Sequence, residues 1–153
     1  MEANAKDAWV DSLLAPSRPL SDQLLAIRCL SSMEALSDQT RFRVERLALG
    51  HGPELMRRDA LFALSDADRA LMKRGAQPKS NSTIIAALGD SVANVRIGAL
   101  AAVLGHDILL NDLEVTETVR RLATSDPDPS VRAYALGVIE FAPGGPHHDA
   151  ERK

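Results

Sequence analysis

The chain of 153 residues is short of the residue types that carry most catalytic chemistry, with one cysteine, four histidines and five aromatics. Cys29 on its own excludes an internal disulfide and any cysteine-based zinc site, and it fits a reducing compartment. None of His51, His106, His147 and His148 falls in a His-Glu-x-x-His arrangement, and the chain has no His-Glu dipeptide. No Gly-x-Ser-x-Gly elbow and no phosphate-cradling Walker loop is present. No stretch approaches the roughly 18 uninterrupted apolar residues of a spanning helix. The opening MEANAKDAWVDSLL carries Glu2 and Asp7 without a basic leader, so no signal peptide is read there. A soluble, cytoplasmic, non-enzymatic protein without metal or cofactor is the expectation.

With so few aromatics (Trp9, Phe42, Phe62, Tyr134, Phe141) and 45% hydrophobic residues, the core must be built from Leu, Ala, Val and Ile. Such side chains suit close helix-on-helix packing better than a sheet sandwich, so the class is all-α. The length suits one domain, expected over residues 1–142, with 143–153 as a disordered tail. A net charge of −3 argues against a protein whose main task is to neutralise phosphates. The charge is nonetheless uneven: residues 41–79 hold nine basic and five acidic side chains, residues 81–153 six and ten. The first stretch therefore suits an acidic partner, through Arg41, Arg43, Arg46, Arg57, Arg58, Arg69, Lys73 and Arg74. Solvation of ordinary helix faces explains the same residues.

Apolar spacing and capping residues divide the chain into helices. A first helix over 8–15 ends at Pro16 and Pro19, and a second begins after Ser21 or Asp22 and carries apolar residues as far as Met33. Ser37 or Asp38 caps a third, which Gly50-His51-Gly52-Pro53 stops with an expected left-handed cap before a helix over 54–64. Ser65-Asp66 would cap a short helix over 67–73, and GAQPKSNS is the most linker-like loop. Asn81 or Ser82 caps a helix to Leu88, Gly89-Asp90-Ser91 breaks it, and another runs from Val92 to Leu104. The last two are expected over 113–124 and 130–141. Between them Asp128 and Pro129 supply a natural N-cap and the residue best suited to the first helical position.

Two of these segments repeat. GDSVANVRIGALAAVL and SDPDPSVRAYALGVIE align without a gap at an offset of 36, matching Asp90 with Asp126, Val95-Arg96 with Val131-Arg132, and Ala99-Leu100 with Ala135-Leu136. LMRRDALFAL places Met56-Arg57 and Ala60-Leu61 in the same frame, with His51 in the aspartate's position, and Asp22 with Ile27-Arg28 keeps the six-residue offset. Such a period means stacked supersecondary units. The pattern of Asp, four residues, Val-Arg, two residues, Ala-Leu resembles the HEAT-repeat family, best over 83–141. The resemblance implies a short right-handed α-solenoid of about three to four antiparallel helical hairpins. It also implies a hydrogen-bonded ladder formed by Asp90, Arg96, Asp126 and Arg132 across successive corners. Stacked units share a core and leave a surface for a partner.

The function expected is accordingly that of a protein-protein interaction module, such as an adaptor, inhibitor, chaperone or small assembly subunit. Arg57, Arg58, Asn94 and Tyr134 are the candidate partner-binding residues, on inner helices that start near Glu54, Val92 and Ser130. His51 and His106 adjoin glycines at helix ends, where a cationic ring favours the dipole, and are read as caps. Cys29 is read as a small buried residue, and His147-His148 as part of the tail. The pairs Asp66 with Asp68 and Asp126 with Asp128 are read as caps at helix starts. Two alternatives remain. EALSDQTRFRVERLAL, 34–49, resembles the opening helix of winged-helix repressors of the arsenic-repressor type, which implies DNA binding, although a β-wing is not readable after Gly75. Pigment-attachment lyases of HEAT-like fold suggest an accessory enzyme, but no concave cluster of acidic and aromatic groups is evident. A bulky residue at Ala99 or Ala135 should destabilise the stack.

Overall fold

A computed structural model describes residues 3–31 and 36–142. Met33, Glu34 and the segment 143–153 with His147 and His148 lie outside the described residues. The described chain is helical, with no strand among the described residues. Its contacts divide it into two compact units, Met1–Ser80 and Asn81–Lys153. The break falls inside the loop singled out by its composition.

The first unit contains α1 (Ala3–Leu14), α2 (Leu20–Ser31), α3 (Asp38–Leu49) and α4 (Glu54–Met72). α3 and α2 both pack extensively on α4, and α1 packs on α2. Ser37 caps α3 by accepting from the Thr40 N–H at 3.1 Å. Ile27, Leu30, Val44, Leu61 and Leu64 are fully buried, each contributing about 1.5–3 kcal/mol by leaving water. None of the chain's aromatics is among the buried residues; Trp9, Phe42, Tyr134 and Phe141 are exposed and Phe62 is half-buried.

Two local expectations fail here. Ser65-Asp66 does not start a new helix, because α4 runs unbroken for 19 residues. Ser65 and Asp68 are instead buried, and Asp68 is bound by tertiary partners. Gly50 is not left-handed but extended (φ −77°, ψ −171°). Its glycine is required for another reason: a Cβ there would stand 2.7 Å from the Arg46 carbonyl oxygen. Gly75 is the described residue with a positive φ, +75°, just after α4.

The second unit contains α5 (Asn81–Ala87), α6 (Ala93–Leu104), the short α7 (Asp107–Leu110), α8 (Leu113–Ser125) and α9 (Pro129–Phe141). α5 packs on α6, α8 on α9, and α6 on α9. Asp112 caps α8 through the Val115 N–H, and Asp128 caps α9 through the Ser130 and Val131 N–H groups, with Pro129 at the helix start. Asn81 does not cap α5. It is the first helical residue, and its buried Oδ1 accepts no hydrogen bond. α7 was not anticipated. His106 precedes it with its ring fully buried, so it does not act as a solvated cationic cap, whereas His51 is exposed. Cys29 is half-buried. Ala99 and Ala135 are completely buried.

Candidate functional site

In the first unit, a cleft of about 450 Å³ is lined by Arg28 from α2 and by Arg58, Asp59, Phe62 and Asp66 from α4. The residues on α4 recur three and four apart, so one helix face delivers them together. Asp59 organises the cleft. Its buried carboxylate accepts from Arg28 Nε on Oδ2 at 2.9 Å, and from Arg58 Nε and Nη2 on Oδ1 at 3.2 and 3.0 Å. Arg58 also lies over the Phe62 ring, its guanidinium carbon 5.8 Å from the centroid, within cation-π range.

One buried carboxylate thus holds two guanidinium groups. Asp66, the other acid of the cleft, is paired with Arg69 at 3.0 Å. Three cations stand against two carboxylates, and the group carries a net positive charge. The remaining guanidinium N–H groups of Arg28 and Arg58 have no acceptor among the described residues. Arginines fixed by a buried carboxylate and an aromatic face lose little freedom when they bind a planar anion, which is the condition for two-point recognition of a carboxylate.

Of the residues expected to bind a partner, Arg58 belongs to this cleft. Arg57 does not: it is buried, and its Nε donates to the Ala48 carbonyl at 3.3 Å, because its position on α4 faces α3 rather than solvent. Asn94 is half-buried and Tyr134 exposed, both in the second unit. Arg41, expected on the same basic surface, is also interior. Its Nη1 donates to Asp68 Oδ1 at 2.6 Å and to Ser80 Oγ, while the Ser80 N–H donates to Asp68 Oδ2 at 2.7 Å. Lys79 pairs with Asp38 at 2.7 Å and lowers that carboxyl's pKa, so the loop after α4 is tied to α3 twice. An open groove of about 620 Å³ beside α1 and α3 is lined by Leu14, Ala15, Pro16, Arg43, Arg46 and Leu47.

The four expected ladder residues come together in the second unit. Arg96 Nε and Nη2 donate to Asp126 Oδ2 and Oδ1 at 2.8 and 2.6 Å, and Arg96 Nη1 donates to the Asp90 carbonyl at 2.7 Å. Arg132 Nη1 donates likewise to the Asp126 carbonyl at 2.7 Å. Each aspartate turns its own corner, Asp90 Oδ1 accepting from the Val92 N–H and Asp126 Oδ1 from the Asp128 N–H, both at 2.9 Å. Burial would raise the Asp126 pKa, but the hydrogen bonds from Arg96 and Asp128 and the charges of Arg96 and Arg132 outweigh it and hold the carboxyl below its ordinary value.

Sequence reasoning missed Arg28, Asp59 and Phe62 as partners in one cleft. The available signal was spacing: Arg28 and Asp59 are 31 residues apart, close to the 30 that separate Arg96 from Asp126. No grouping of three or more His, Cys, Asp or Glu able to hold a metal occurs among the described residues. No described helix is long and apolar enough to cross a membrane. Comparison with known proteins gave no match among family models, curated proteins or solved structures.

Proposed function

We propose that the protein is a helical-repeat interaction module whose arginine cleft on α2 and α4 receives an acidic side chain of a partner protein. The observation that carries this reading is the shared carboxylate of Asp59, which orients two arginines toward one cleft while neutralising only one of them. Phe62 beside them supplies apolar area for the partner's aliphatic carbons. The HEAT-like arrangement, with helix pairs sharing a core and a surface left for the partner, is part of the same proposal. A reducing cytoplasmic setting suits a chain with a single cysteine.

Affinity capture from the native cell with the full chain, run beside an Arg28→Gln variant in which Arg58 still pairs with the buried Asp59, tests the reading. One protein should be recovered in stoichiometric amount by the parent chain and lost with the variant, while circular dichroism of the two chains stays the same. Recovery of the same protein by both chains, or of none by either, would remove the cleft as the binding site.

A further inference from the structure

The second unit contains its own template for an additional contact. At the offset of 36, Arg96, Leu100 and Val103 of α6 correspond to Arg132, Leu136 and Ile139 of α9. Each trio recurs at i, i+4 and i+7 and so shares one helix face. On α6 that face is covered: Arg96 is 7% exposed and bound to Asp126, and Leu100 and Val103 are fully buried. On α9 the same face is open, with Leu136 52% exposed and Arg132 and Ile139 half-buried. Arg132 keeps the local half of the Arg96 pattern, its Nη1 donating to the Asp126 and Pro127 carbonyls. Its Nε and Nη2, the edge with which Arg96 grips a carboxylate, have no acceptor among the described residues.

We propose that this face of α9 docks a second protein through a helix pair with an aspartate at its corner. The aspartate closes on the Nε–Nη2 edge of Arg132 as Asp126 closes on Arg96, and an apolar helix face covers Leu136 and Ile139. The occupant's chemistry follows from the covered copy of the site: a planar carboxylate for the arginine edge and a helical apolar stripe for the two aliphatic side chains. The surface is separate from the arginine cleft of the first unit and stands or falls independently of it.

A peptide of residues 112–142, whose Asp126 already grips Arg96 and whose α9 packs on α6, serves as the probe. Titrated into the isotope-labelled full chain, it should shift the amide signals of Leu136 and Ile139 and the side-chain Nε signal of Arg132 with saturation. Asp126→Asn in the peptide, or Arg132→Gln in the chain, should weaken binding at least tenfold. Leu136→Asp, which leaves the Arg132 bond to the Asp126 carbonyl in place, should do the same. As a second construction, repeating 112–142 after Ala142 should raise the melting temperature, and Arg132→Gln should erase that gain. Absence of both the shifts and the added stability overturns the proposal, as does binding indifferent to all three substitutions. Two other outcomes overturn it as well: loss of the Arg132 Nε signal's bound character on deleting 143–153 would assign the face to the chain's own end, and self-association abolished by Arg132→Gln would assign it to a second copy.

Discussion

Arg96 holds Asp126 through two parallel hydrogen bonds, across 30 residues of sequence, with both side chains nearly excluded from water. The same arginine binds the Asp90 carbonyl, so one side chain joins the corner before α6 to the corner before α9. Removing one member leaves the other charge buried and unpaired, at a cost of about 3–5 kcal/mol. Arg96→Met and Asp126→Asn should each lower the denaturation midpoint strongly. The double variant should lose much less than the sum, which a double-mutant cycle in urea measures directly. Additive losses would mean that the two side chains do not act as a unit.

Acid titration should show two opposite trends. The Asp126 carboxyl is held below its ordinary 3.8, so it stabilises the fold wherever the unfolded carboxylate is ionised, and that contribution is lost as pH falls from 3.8 through its folded value. Glu45 behaves in the reverse sense: burial raises its pKa above the ordinary 4.5, with Asp68 adding to the rise and Arg41 opposing it. Its ionised form therefore costs stability at neutral pH, and the cost is relieved as pH falls through its folded value toward 4.5. Thermal melts across this range should show Glu45→Gln removing the gain above 4.5 and Asp126→Asn flattening the loss below 3.8.

What was legible in the sequence is mostly what neighbours along the chain decide. Ser37 and Asp128 cap the helices that follow them because a short acceptor before an apolar-periodic run meets the first free N–H groups, and Pro129 starts α9 with no helical bond forfeited. The six-residue Asp-to-Arg offset is equally local: Arg96 and Arg132 each donate to the backbone carbonyl of the aspartate six residues before. What was not legible depends on distant residues. Ser65 and Asp66 carry the composition of a cap, yet α4 continues because Arg41 and the Ser80 N–H satisfy Asp68 from outside the helix. Arg57 and Arg58 are adjacent and chemically alike. Which of them is buried is decided by the placement of α3 and α2 against α4, on which no short-range pattern reports.

The Arg41–Asp68 pair makes a more local prediction about the loop after α4. Arg41 and Asp68 are both buried, and together they hold Ser80, the last residue of the first unit. Arg41→Met strands the Asp68 carboxylate and should cost about 3–5 kcal/mol, whereas Lys79→Ala removes only an exposed, solvent-screened pair and should cost little. Limited proteolysis should cut between Lys73 and Lys79 much faster in Arg41→Met than in the parent chain, with Lys79→Ala scored at the remaining basic sites. Equal cutting rates in all three chains would show that the loop is not restrained by this pair.

Three glycines should respond to alanine with different signs, because three different features of the backbone surround them. Gly137 lies within α9 with open space where a Cβ would stand, so Gly137→Ala should stabilise by about 0.5–1 kcal/mol through helix propensity. Gly75 is also sterically open, but its φ of +75° strains any L side chain, and Gly75→Ala should cost about 1 kcal/mol. Gly50 has an ordinary φ and a blocked site: the new methyl would meet the Arg46 carbonyl oxygen at 2.7 Å, and backbone at a helix end must shift to admit it. Its loss should be the largest of the three, about 1–3 kcal/mol. Differential scanning calorimetry on the three variants should rank their melting temperatures with Gly137→Ala above the parent chain, Gly75→Ala below it and Gly50→Ala lowest. A Gly50→Ala chain as stable as the parent would show that the turn after α3 does not approach Arg46 so closely.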